Sequence, residues 1–335
     1  MTNFMFLNGR IRALESKLLD VGRLDRMIGA KNAEDAFRVL VELQYSEYLN
    51  ESTRAESFNE IIDRGLSETK KMISESDKDF AGFQFLWAKY DANNLKRAAK
   101  IKLIEGKDKI EDFSDENGFS LLGDISQEEV ENAIFEGKIS ENIPNEFVKA
   151  LRSIESIYEK TQSFRDVEFA IDTALYDYLA RIASKSYSSY LKDLFRFTVN
   201  SLNLQAIARS VLVFDEKLPK NAFIHHGDFH FSDIEKIESF EDFTNFVKIT
   251  DFSSVLDNIK ENDSDEDKVL KIGKEIDSLY KNFTHDSAEG EISSPQIPIN
   301  YFERRVQNAR MIKFVMFAKF HGMSPEKIYK TLERF

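Results

Sequence analysis

Apolar residues recur along most of this chain at intervals of three and four, the spacing that gathers one face of an α-helix. Between 83 and 101 the set Phe83, Trp87, Tyr90, Ala98 and Ile101 keeps i, i+4, i+7 steps, with Lys89, Lys96 and Lys100 elsewhere on the wheel. The same periodicity predicts helix over roughly 3 to 20, 33 to 49, 53 to 76, 144 to 185, 187 to 213, 265 to 284 and 299 to 321. Alternation of period two is hard to find, and 13 glycines and 5 prolines are fewer than average usage. The expected fold class is all-α.

Local signals punctuate these segments. "SQEE" at 126 to 129 is a capping box, in which Ser126 accepts from the Glu129 backbone while the Glu129 side chain reaches back. "HGMSPEK" at 321 to 327 ends one helix at Gly322 and starts another with Ser324 as cap and Pro325 at the first position. The stretches 260 to 268 and 286 to 298 read as solvated loops or linkers.

Composition narrows the function more than the fold. A chain of 335 residues has room for two or three domains or one repeat array, and 29 phenylalanines argue for a packed core. With no cysteine, disulfides, thiolate catalysis and Cys-ligated zinc are excluded, which fits a reducing compartment. The longest uncharged run, Phe197 to Ala208, is too short and too polar to cross a bilayer, and "MTNFMFLNGR" lacks the features of a signal peptide. A cytosolic chain is expected. The net charge of −13 disfavours nucleic acid as a partner. The basic stretch "NNLKRAAKIK" (93 to 102) reads as a solvated helix face.

One short tract invites a catalytic reading. "FIHHGDFHF" (223 to 231) holds His225, His226, Asp228 and His230 in a chain of five histidines. On an extended segment His226, Asp228 and His230 would share one side, a donor set suited to zinc or non-haem iron and so to a metal-dependent hydrolase. The alternative is a polar turn, since Gly227-Asp228 is a turn pair. "GFSLLGD" (118 to 124) has the glycine spacing of a phosphate loop, but Asp124 stands where lysine is needed and Ile125 where Ser or Thr is needed. Direct nucleotide binding is not expected there.

A repeat is more informative than either tract. "YDANNLKRAAKIK" (90 to 102), "TVNSLNLQAIARS" (198 to 210) and "RRVQNARMIKFVM" (304 to 316) align on Asn94, Asn203 and Asn308, separated by 109 and 105 residues. Each asparagine sits on an apolar ridge, so it is expected to fasten its helix to neighbouring backbone. No base or nucleophile recurs beside the three, which argues against catalysis. Asp91 and Leu95 flank the first copy and Leu204 follows the second asparagine; the second copy has no acid three residues earlier, and the third reads Asn308-Ala309-Arg310.

With these segments in order, the chain resembles the C subunit of the archaeal and bacterial V/A-type ATPase, a relative of the eukaryotic V-type d subunit. The resemblance rests on "FLNGRIRALESKLL" (6 to 19), "LWAKYDANNLKRAAK" (86 to 100), "FRFTVNSLNLQAIARS" (195 to 210) and "YFERRVQNARMIKFVMFAKFHGMSPEKI" (301 to 328), and Asp91 to Lys96 is its most specific piece. It implies three similar helical units in a funnel about a pseudo-threefold axis. It also implies a single-copy, non-catalytic rotor component without a cofactor. That component would be a socket between the D and F shaft subunits and the membrane proteolipid ring, peripheral on the cytoplasmic face. In that setting "FIHHGDFHF" becomes an ordinary connecting turn.

The units expected on this basis are 55-150, 151-260, and 261-335 completed by 1-54, because only 27 residues follow Asn308. The N-terminal helix should therefore pack on the C-terminal one. Turns after the aligned helices, near 106 to 118, 215 to 231 and Gly322, are expected toward one end of the axis. Lys107, Lys109, His225, His226, Asp228 and His230 are the candidate partner contacts among them. A helical adaptor unrelated to a rotor is the remaining alternative.

Overall fold

The computed structural model describes residues 4–49, 53–77, 80–106, 118–286 and 294–332. In chain order these form α1 (Met5–Glu15), α2 (Val21–Gly29), α3 (Ala33–Arg38), α4 (Phe58–Ser76) and α5 (Gln84–Leu103). There follow α6 (Gln127–Phe135), α7 (Asn145–Leu151), α8 (Ile154–Thr161), α9 (Phe164–Lys185) and α10 (Ser189–Leu212). The remainder are α11 (Phe231–Ile234), α12 (Phe240–Lys248), α13 (Asp265–Asp286), α14 (Gln296–Phe320) and α15 (Pro325–Leu332). No strand occurs among the described residues, and the fold class is all-α.

Two compact units account for the chain: Met1–Leu86 together with Phe283–Phe335, and Trp87–Asn282. In the first, α14 packs on α1, α2, α3 and α4. Its core gathers Ile11, Met27, Ile28, Leu40, Ile62 and Ile73 with Phe302, Ile312, Val315 and Met316, all nearly inaccessible. Burial of each such side chain contributes about 1.5–3 kcal/mol relative to exposure. Polar ties join the same sequence-distant segments: Asn8 Nδ2 donates to Ser294 O at 3.0 Å, Tyr301 Oη to Gln44 Oε1 at 2.7 Å, and Tyr329 Oη to Asp25 Oδ1 at 2.8 Å. Lys319 Nζ donates to the carbonyls of Ile28 and Ala30, satisfying orphan acceptors where α2 ends. The expected packing of an N-terminal helix on a C-terminal one is present.

In the second unit α9 packs against α7, α8 and α10, and α10 packs against α12. Leu204, Ile207 and Ala208 of α10 share a core with Phe243 and Val247 of α12 and Ile272 and Ile276 of α13. The basic stretch after Asn93 does more than face solvent. Lys96 Nζ pairs with Asp172 of α9 at 2.7 Å, and Lys102 Nζ donates to Ile134 O at 2.6 Å and pairs with Glu155 of α8.

Several expected helices are divided. The segment 3 to 20 ends at Glu15, and Asp20 then caps α2 by accepting from Arg23 N at 2.7 Å. The segment 33 to 49 breaks after Arg38 into 3-10 turns at Val39–Glu42 and Ser46–Tyr48. The segment 144 to 185 holds three helices, and Gln162 adopts a left-handed φ of 53° where α8 ends. α13 starts at Asp265, where the periodicity placed it, with Ser264 Oγ accepting from Asp267 N at 3.1 Å, so the loop expected over 260 to 268 ends early; α14 starts at Gln296, inside the loop expected over 286 to 298. The Ser126–Glu129 box is formed with both arms in place. Gly322 takes φ 65°, and the bonds Gly322 N to Lys319 O and Met323 N to Ala318 O close a Schellman motif.

Candidate functional site

The three aligned asparagines each lie on a long helix and are buried, Asn203 of α10 at 0% exposure. Asn94 of α5 donates through Nδ2 to Ser120 O at 3.0 Å and accepts at Oδ1 from Ser120 N at 2.9 Å. Asn203 repeats the arrangement on Ile224, with Nδ2 to O at 2.8 Å and N to Oδ1 at 2.9 Å. Gripping both polar groups of one residue fixes the position and the rotation of the turn that follows the helix. Asn308 of α14 is oriented by its neighbours so that Oδ1 accepts from Leu19 N at 2.7 Å and Nδ2 donates to Arg304 O at 3.2 Å. Its partner therefore lies in the N-terminal segment, and the grip is one-sided.

A second polar residue stands one helical turn earlier in each copy. Asp91 Oδ1 accepts from Ile125 N at 2.8 Å. Asn200 Oδ1 accepts from Asp228 N at 2.9 Å, and its Nδ2 donates to Asp228 Oδ2 at 2.7 Å. The missing acid of the second copy is thus replaced by an amide that also captures a backbone N–H of the turn, one residue nearer the gripped Ile224 than Ile125 is to Ser120. Arg305 occupies the third position; it has no acceptor to offer a backbone N–H, and this capture is lost. The apolar neighbours Leu95 and Leu204 are both fully buried.

The captured turns also share a glycine. Ser120 and Gly123, Ile224 and Gly227, and Leu19 and Gly22 have the same separation of three. At Gly123 a Cβ would lie 2.2 Å from Asp91 Oδ1, and at Gly227 one would lie 2.5 Å from Asn200 Oδ1. These two glycines let the turn approach the buried polar side chain closely enough to donate its amide. At Gly22 the nearest contact would be an ordinary 3.5 Å, so the third turn does not need it sterically.

The histidine tract does not assemble as a metal site. His226 has a left-handed φ of 74°, which breaks the alternation that would have put His226, Asp228 and His230 on one side. Its Nε2 meets Asp177 Oδ1 of α9 at 2.9 Å. Asp228 is held by Asn200 and lies 3.8 Å from Arg196 Nη1. His225 packs its ring edge-on to Phe223 at 5.2 Å, and His230 precedes α11, where its carbonyl accepts from Asp233 N at 3.0 Å. Among the described residues no group of three or more His, Cys, Asp or Glu side chains is placed to hold a metal ion. The metal-dependent hydrolase reading therefore loses its ligand set. All four residues are exposed on the captured turn, while Lys107 and Lys109 lie outside the described residues.

Glu129, in the capping box after the first captured turn, has its pKa lowered to about 2. The causes are hydrogen bonds from the Ser126 backbone and from the Ser140, Asn142 and Ser126 side chains, against opposition from burial. The box is thus also an anchor for the segment at 140 to 142, with Ser140 Oγ donating to Glu129 at 2.8 Å and Asn142 Nδ2 at 2.7 Å. Sequence reasoning did not identify Ser120, Ile224 and Leu19 as partners. A glycine three residues after each partner was the available signal.

No described helix is long and apolar enough to cross a membrane. The C subunit of the A-type ATP synthase of Methanocaldococcus jannaschii is 25% identical over 183 residues, which is 50% of this chain and 44% of that protein. The C subunit of the V-type ATP synthase of Deinococcus radiodurans is 28% identical over 104 residues, 29% of this chain and 30% of that protein. These matches span less than half of either relative, whereas the profile of the ATP synthase (C/AC39) subunit family matches residues 7–331 and so takes in all three asparagine helices. The chain belongs to the ATP synthase (C/AC39) subunit family.

Proposed function

We propose that this chain is a non-catalytic rotor component of a V/A-type ATPase or synthase, a socket that joins the D and F shaft subunits to the membrane proteolipid ring and transmits torque between them. It acts as a single copy, peripheral on the cytoplasmic face, and its three similar helical units surround a pseudo-threefold axis. The observation that carries the reading is the family match over residues 7–331. The recurring captures of Ser120 by Asn94, Ile224 by Asn203 and Leu19 by Asn308 support three related units, the third completed by the N-terminal segment. Close-packed helices with turns fixed at both polar groups suit a part that must carry strain without yielding.

One asymmetric socket cannot match every member of a symmetric ring equally, so the contact is broad and partly polar, with an area in the range of stable interfaces. The exposed side chains of the captured turns, His225, His226, Asp228 and His230 among them, contribute to it, as do Lys107 and Lys109. The acidic surface steers basic partner loops, and raising salt weakens assembly. The test is affinity purification of the tagged chain from detergent-solubilised membranes. Recovery of shaft subunits and proteolipid together is expected. Recovery of neither, with an intact rotary complex isolated from the same membranes lacking the chain, rejects the socket and favours an unrelated adaptor.

A further inference from the structure

In the unit formed by Met1–Leu86 and Phe283–Phe335, α1, α4, α14 and the turn at 44 to 48 enclose a cleft of about 320 Å³. Its size is at the lower end of small-molecule sites. Arg305 lines it, only 2% exposed, and forms no ion pair with a described carboxylate. Its Nε has no hydrogen-bond partner. The guanidinium instead faces the Tyr45 ring, whose centroid is 4.9 Å from Cζ. Burial pushes the Tyr45 phenol above its usual range, with Arg305 opposing, so this neighbour is neutral and supplies no counter-charge. Gly65 keeps the space beside the guanidinium open, since a Cβ there would press on Tyr45 at 2.7 Å and on Arg305 Nη2 at 3.2 Å.

A buried cation without an acid is a demanding arrangement, and a planar guanidinium fork suits a carboxylate. The walls decide the charge of the ligand. Arg10, Lys17 and Lys71 join Arg305 on the positive side, while Glu47, Glu68 and Glu75 oppose them, leaving one positive charge uncompensated. Apart from Arg305, these six charges lie exposed at the rim, where the three acids disfavour a dianion more than a monoanion. Leu14, Tyr48 and Met72 provide apolar surface for a short stem. We propose that this cleft binds a small molecule carrying a single carboxylate, received by Arg305. The site stands apart from the rotor reading, and neither depends on the other.

The probes are sodium acetate, glycine and inorganic phosphate, titrated into the full chain against sodium chloride at matched ionic strength and mildly alkaline pH. The readout is the Arg305 Nε–Hε resonance, assigned by its loss in Arg305→Lys. Acetate is expected to shift it saturably, glycine likewise, and dianionic phosphate at least about tenfold more weakly because of the wall acids. Lys17→Gln, which leaves the buried core untouched, weakens acetate binding. Glu68→Gln removes one wall acid and narrows the gap between phosphate and acetate. A shift reproduced by chloride, an unsaturable response, phosphate binding tighter than acetate, or no change in Lys17→Gln each overturns the proposal. Should Arg305→Lys fail to fold, the Lys17→Gln and Glu68→Gln variants still decide it.

Discussion

Replacing Asn203 with alanine removes both hydrogen bonds that hold Ile224, at 2.8 and 2.9 Å, from a side chain that is fully buried. Each neutral bond contributes about 1 kcal/mol net, and a stranded buried polar group costs about 1–3 kcal/mol. Ile224 is only partly buried, so water recovers some of that cost, and the expected local loss is about 2–3 kcal/mol. At about 1.4 kcal/mol per factor of ten, this corresponds to roughly 30- to 150-fold faster amide exchange at Ile224. Local exchange is the right assay because a chain of two compact units need not unfold in one step. The Ser120 amide, held by Asn94 in the same way, serves as the internal control. An acceleration below about threefold at Ile224, or an equal acceleration at Ser120, would refute the capture as the source of the turn's order.

Glycine substitutions separate close approach from backbone freedom. Gly227→Ala places a methyl 2.5 Å from Asn200 Oδ1 and 2.9 Å from Val199 Cγ1 and is expected to destabilise by about 1–3 kcal/mol. Gly273→Ala meets nothing within 4 Å on α13 and is expected to stabilise by up to about 1 kcal/mol; equal effects in denaturant melts would count against both assignments. The lowering of Glu129 from 4.5 to about 2 means that its contribution is full above pH 4.5 and is lost as pH falls through about 2. Because the side chain is partly exposed, that contribution is discounted to about 1 kcal/mol, the cost expected for Glu129→Gln at neutral pH. An NMR titration placing the Glu129 pKa above 4 would remove this account.

Long single-faced helices were legible in the sequence. For α4, α5, α10, α13 and α14 the periodic apolar positions extend over many turns, and the predicted spans lie close to those observed. The short helices α2, α8, α11 and α12 offer too few turns for a period to emerge. The capping box of α12 escaped notice because its third residue is Asp242 rather than Glu or Gln, although both arms are formed. The asparagines stood out because amides on apolar ridges need partners, but the partners themselves left no residue signature. Serine, isoleucine and leucine are captured alike, since what is gripped is main chain. The histidine tract misled for a related reason: spacing assumes an extended backbone, and the left-handed turn at His226 removes that assumption.

The discontinuous unit imposes an order on biosynthesis. Domains ordinarily fold as they emerge, N-terminal first. Here α1 and α2, with Leu7, Ile11, Met27 and Ile28 buried, both pack on α14, which is made only after the whole Trp87–Asn282 unit, although α2 also has α3 beside it from the start. The intervening Trp87–Asn282 unit can complete itself while they wait. Until α14 is made, the apolar surface of α1 and α2 that it covers stays open, and truncation before α14 leaves it open permanently.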